Sequence, residues 1–80
     1  MSELMPGYHT LRGSDVQRDG MYLELIDQRT GDEVAEVFYS DVSGAMSISV
    51  FQQEMPLEPI ERLIQRARQD LPPSDATDVA

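Results

Sequence analysis

Three short runs of alternating character, separated by turn-forming residues, restrict this chain to an antiparallel sheet before any other feature is weighed. From Met21 to Asp27, the residues Met21, Leu23 and Leu25 alternate with Tyr22, Glu24 and Ile26. Glu33 to Ser40 and Ala45 to Phe51 follow the same two-residue period, which is that of a strand with one covered face. Because a slip of one residue exchanges the two faces, register follows from asking which pairing sorts the glutamates together. Leu23 opposite Val37 and Leu25 opposite Ala35 do so. The other face then holds Tyr22 with Phe38, Glu24 with Glu36, and Ile26 with Val34. This leaves the loop Arg29-Thr30-Gly31, with glycine where left-handed backbone is required. After the turn Asp41-Val42-Ser43-Gly44, pairing Met46, Ile48 and Val50 with Tyr39, Val37 and Ala35 completes one apolar face.

Beyond Phe51 the period changes. Leu57, Ile60, Leu63, Ile64, Ala67 and Leu71 follow the three-and-four spacing of an amphipathic helix, the natural lid for that apolar face. Pro56 and Pro59 suit a first helical turn, Pro72-Pro73 ends the element, and no Ser, Thr or Asp caps its start. The fold expected is α+β: a three-stranded antiparallel β-meander packed on one C-terminal α-helix, in the order ββ-β-α, spanning residues 21–73 as a single domain. Residues 1–20, rich in glycine and polar groups, read as a mobile N-terminal arm, with Tyr8 to Leu11 as a candidate short edge strand. Residues 74–80 read as a disordered tail.

At 80 residues the core is small, and without cysteine neither disulfides nor thiolate metal sites supplement it. Met1 to Gly7 lacks the basic and apolar regions of a signal peptide, and no apolar run reaches membrane-spanning length, so the expected location is cytoplasmic. A net charge of -9 argues against direct contact with nucleic acid or anionic membrane and points to a protein partner with a basic surface. The acidity is concentrated: residues 21–56 hold Glu24, Asp27, Asp32, Glu33, Glu36, Asp41 and Glu54 against Arg29 alone, whereas 57–71 balance three acids with three arginines.

Chemistry finds little support. His9 is the only histidine and has no ligand-type neighbour, so it reads as a solvated side chain. Glu24 and Glu36 would lie opposed on an open sheet without the walled cleft that paired catalytic carboxylates need. Asp27, Asp32 and Glu33 match no calcium-loop spacing. No enzymatic activity, metal or cofactor is expected.

The uncovered face is the candidate site, with Tyr22, Glu24, Ile26, Val34, Glu36, Phe38 and Phe51 as partner-binding residues. Aromatic and β-branched side chains there form an apolar patch of a size that marks interaction surfaces. The opposed glutamates, costly when they face each other, ask for a cation. The function expected is a small non-enzymatic protein-binding module, of inhibitor or immunity type, that masks a basic site on a partner enzyme or toxin. The alternatives are a nucleic-acid mimic, such as a phage-encoded blocker of a DNA-binding complex, and a structural homodimer. The plain competing reading is that the N-terminal arm folds over this face.

Overall fold

The computed structural model describes residues 7–71. Four strands form one antiparallel sheet in sequential order: β1 (Tyr8–Asp15), β2 (Gly20–Asp27), β3 (Glu33–Ser40) and β4 (Met46–Val50). A single helix, α1 (Leu57–Asp70), packs on one side of it. The α+β meander-and-helix architecture is therefore as the periodicities require, with one strand more at the N-terminal edge. Tyr8 to Leu11 is the start of a full eight-residue strand paired with all of β2, from Tyr8 opposite Asp27 to Asp15 opposite Gly20. The mobile arm expected over 1–20 is corrected over this stretch. Residues 1–6, the Pro72-Pro73 stop and the tail 74–80 lie outside the described residues.

One construction repeated three times explains the meander. Each hairpin loop has four residues, 16–19, 28–31 and 41–44, and each ends in left-handed backbone: Asp19 (φ 53°), Gly31 (φ 80°) and Gly44 (φ 77°). Each is also capped by the side chain that precedes it. Asp15 Oδ1 accepts the Arg18 amide at 3.1 Å, Asp27 Oδ1 accepts the Arg29 amide at 2.9 Å, and Ser40 Oγ accepts those of Val42 and Ser43, both at 3.2 Å. Such caps satisfy loop amides that no ladder reaches and hold the backbone at the geometry that returns the chain antiparallel.

The β2–β3 register matches the sequence reading through Tyr22–Phe38, Leu23–Val37, Glu24–Glu36 and Leu25–Ala35, and then slips: Ile26 pairs with Glu33. Val34 is the extra residue of a bulge. The slip lengthens the loop from the expected 29–31 to 28–31, closed by Asp27 N–H donating to the Asp32 carbonyl at 2.9 Å. Its physical reason is burial, since a bulge lets two consecutive apolar residues, Val34 and Ala35, both enter the core. The β3–β4 register is as expected throughout, with Ala35, Val37 and Tyr39 opposite Val50, Ile48 and Met46.

The core joins Leu23, Leu25, Val34, Ala35 and Val37 to Leu63, Ala67 and Leu71 of the helical segment. Ile60 is only half-buried against it, and Leu57, assigned to the stripe from its spacing, is exposed. The helix begins at Pro56 without a side-chain cap, while Glu58–Arg62 and Arg66–Asp70 ion pairs at 3.1 and 2.8 Å run along its surface. A helix about 10 Å wide spans roughly two strands at about 4.8 Å spacing, and it lies over β2 and β3. Among the described residues, no helix is long and apolar enough to cross a membrane.

Leu63 is fully buried at the centre of this contact. Leu63→Ala should cost about 2–5 kcal/mol, measured by urea denaturation, a large share of the stability of so small a domain. Gln65→Ala, on the exposed face, is the control. Equal effects of the two substitutions would mean that the helix is not the clamp.

Candidate functional site

The sheet face opposite the helix is built from residues that the register places side by side. Gly13, Tyr22, Phe38 and Ser47 form one cross-strand row, and Leu11, Glu24, Glu36 and Ser49 the next. The third row is His9, Ile26 and Glu33. Tyr22, Glu24, Ile26, Glu36 and Phe38 thus come together as the sequence indicated, each half-buried. Two expected members do not. Val34 turns into the core at the bulge, 4% exposed, and Glu33 takes its place beside Ile26. Phe51 lies past the end of β4, its amide bonded to the Val34 carbonyl at 2.8 Å and its side chain exposed.

The two aromatic rings lie across glycines. A Cβ on Gly13 would collide with the Tyr22 hydroxyl, and one on Gly20 with the Tyr39 carbonyl and the edge of the Phe38 ring. Absent side chains on β1 and at the start of β2 thus let the rings lie flat along the sheet, which explains why they are half-buried on a face with no covering element.

The opposed glutamates find their cation within the chain. Arg18, third residue of the β1–β2 loop, gives Nη2 to Glu36 Oε2 at 3.0 Å and Nη1 to Oε1 at 3.4 Å. The same guanidinium lies 4.2 Å from the centre of the Phe38 ring, and its Nε donates to Asp15 Oδ2. Asp15 is held below the usual carboxylate range, chiefly by the Arg18 side-chain hydrogen bond and then by its backbone amide. Those bonds, with the Glu36 contact leading, push Arg18 up in turn. A separate pair, Asp27 with Arg29, closes the β2–β3 turn and lowers Asp27 in the same way.

Sequence reasoning missed both Arg18 and Glu33. The available signal for Arg18 was the spacing Asp15-x-x-x-Asp19, which repeats the Asp27-x-x-x-Gly31 and Ser40-x-x-x-Gly44 spacings of the other two turns.

One charge imbalance remains. Carboxylate oxygens of Glu24, Glu33 and Glu36 all lie within 4.8 Å of one another, close enough to share a cation, while Arg18 engages Glu36. Glu33 is pushed above the usual range, first by burial and then by the charges of Glu24 and Glu36. Such a cluster attracts positive charge. His9, in the adjoining row, is exposed. In comparisons with known proteins, no family model, curated protein or solved structure matches the chain.

A carboxyl group whose pKa is raised on folding favours the folded state at low pH and loses that contribution as pH rises through the raised value. At pH 7 ionised Glu33 is therefore a cost. Glu33→Gln should stabilise the protein at neutral pH by about 0.2–1 kcal/mol, the scale of like-charge cross-strand pairs. The gain should fade as pH falls through the raised value and be absent below pH 4.5, the group's ordinary value. Denaturant titrations at both pH values test this, and a loss of stability at pH 7 would show that Glu33 supports the fold.

Proposed function

We propose that this protein is a non-enzymatic binding module, of inhibitor or immunity type, whose acidic sheet face masks a basic site on a partner protein. The observation that carries the reading is the convergence of Glu24, Glu33 and Glu36, within 4.8 Å, beside the half-buried rings of Tyr22 and Phe38, on a face that no element covers among the described residues. An incoming Arg or Lys would relieve the crowding that raises Glu33, and the rings supply apolar contact area around it. The chain's own Arg18, lying on Phe38 and Glu36, is an intramolecular precedent that supports this reading. Arginine stacked on a ring and forked onto a carboxylate is the contact that a basic partner would repeat with Glu24 and Tyr22. Three carboxylates gathered within 4.8 Å beside two rings favour masking of a compact basic site over imitation of a phosphate backbone. Net charge of -9 adds steering toward such a partner.

The test is capture of a basic protein from the native host, followed by kinetics with surface variants. Phe38→Ala should mainly raise the dissociation rate. Glu24→Gln, which removes a carboxylate that Arg18 does not hold, should slow association and flatten its dependence on salt. Retention of the captured protein by both variants with unchanged kinetics would place the binding surface elsewhere.

A further inference from the structure

Among the described residues β1 and β4 are the outer strands, each with one unpaired edge, and they are built differently. β1 carries Arg12 and Asp15 along with Gly13, and Arg12 Nη1 reaches the Asp70 carbonyl at 3.4 Å. Charged residues on an outer strand discourage the addition of another strand. β4, Met46-Ser47-Ile48-Ser49-Val50, has no charged residue, proline or glycine, and is the one element of the fold without a charged side chain. Its main chain is poised for pairing. Ala45 accepts the Ser40 amide at 3.0 Å and Phe51 donates to Val34 at 2.8 Å, so these two residues turn their polar backbone groups toward β3. Hydrogen-bonding direction alternates along an antiparallel strand, and the register from 46 to 50 is unbroken. Ser47 and Ser49 therefore also face β3, and Met46, Ile48 and Val50 turn their N–H and C=O groups outward.

Side chains on this edge are equally unguarded. The helix covers β2 and β3, which leaves Ile48 41% and Val50 46% exposed on the helix side. Beside them runs a groove of about 220 Å³ lined by Val37, Met46, Ser47, Ile48, Ile64 and Arg68. On β1, by contrast, the residues facing that side include Thr10, Arg12 and Ser14, which tolerate water.

We propose that a second copy of this chain adds to β4, antiparallel, about a two-fold axis through Ile48, to make one continuous sheet of two meanders. The occupant follows from the symmetry of the strand. Apolar, Ser, Ile, Ser, apolar reads alike in both directions, so this axis sets Ile48 against its own mate, Met46 against the partner's Val50 and Ser47 against the partner's Ser49. All the outward groups of Met46, Ile48 and Val50 then meet in about six hydrogen bonds, two for each facing pair. Charge selects the same edge, because copies of a chain with net charge -9 repel one another and can meet without opposed acids only where none are present. The net charge of the two copies still opposes their approach, so salt should strengthen this association. Binding of a basic partner to the carboxylate face should respond in the opposite sense. A five-residue seam is a small interface, and micromolar affinity is expected.

Sedimentation velocity between about 5 and 500 µM should show reversible dimerisation that tightens as salt rises from about 0.1 to 0.5 M. Ile48→Lys should remain monomeric at the upper concentration with an unchanged melting temperature at the lower one, whereas Phe38→Ala should dimerise as the wild type does. Hydrogen exchange on the wild-type protein gives a second reading that does not depend on any variant folding. Amides of Met46, Ile48 and Val50 should be slowed at high concentration only, and those of Ser47 and Ser49 equally at both. A wild-type monomer throughout, a dimer that survives Ile48→Lys, or concentration-dependent protection that misses the even-numbered amides would overturn the proposal.

Discussion

Register in this sheet depends on the side-chain caps of its three hairpin loops. Asp15, Asp27 and Ser40 each accept a backbone amide from within the four-residue loop that follows, and the fourth residue of each loop takes left-handed backbone. A meander has no long-range crossover to fix its strand pairing, so the turns and the facial pattern must do so together. Where they conflict, the conflict is visible. Capping at Asp27 requires a loop of 28–31, the apolar alternation of β3 asks for a loop one residue shorter, and the bulge at Val34 reconciles them. The result is consistent at both ends, with Gly31 in the conformation it tolerates best and Val34 in the core.

That register sets Glu24 against Glu36, and the β1–β2 loop supplies the compensation. Asp15 is both the cap of the loop and one of the two anions that orient Arg18; the other is Glu36, through both of its oxygens. Pairs exposed in this way contribute little individually, about 0–1 kcal/mol. Their effect here is to decide position: the guanidinium is drawn over Phe38, whose ring is laid flat by the absence of a side chain at Gly20. Glu36 is thereby partnered within the chain, while Glu24 and Glu33 complete the carboxylate cluster around it. The cation that the opposed glutamates ask for is thus supplied to Glu36 by the chain itself.

The parts of the fold legible in the sequence were those governed by period. Alternation gave the pairing from Tyr22 to Leu25 with β3, the whole β3–β4 register, and the change to a helix after Phe51. What alternation could not reveal is a bulge at a residue such as Val34, which suits either face, or the exposure of Leu57, which fits the stripe but lies before the helix reaches the sheet. β1 was legible only as a candidate short strand from Tyr8 to Leu11, for a different reason. Its apolar residues, Tyr8 and Leu11, fall on opposite faces of a polar strand, so no covered face shows in the pattern, and its pairing is carried by main-chain bonds to β2 and by the capped turn. Of the candidate site, the five central residues were legible from register. Arg18 and Glu33 were not, since both lie at turn ends where face assignment depends on backbone detail.

The economy of the fold also explains why two surfaces are left available. One 14-residue helix has the width to cover two strands, and it covers the inner pair, where Leu23, Leu25, Val34, Ala35 and Val37 are fully enclosed. A four-stranded sheet then has one bare face and two outer strands with half-open inner sides. β1 meets that exposure with Thr10, Arg12 and Ser14, and the bare face meets it with carboxylates, an arginine and rings flattened against glycine. β4 alone meets it with Ile48 and Val50. Apolar side chains beside an unpaired, uncharged backbone edge are the combination that sheet proteins otherwise avoid. On a domain whose core leaves little stability to spare, covering that strand with its own copy would add burial to the fold while leaving the acidic face of each copy free.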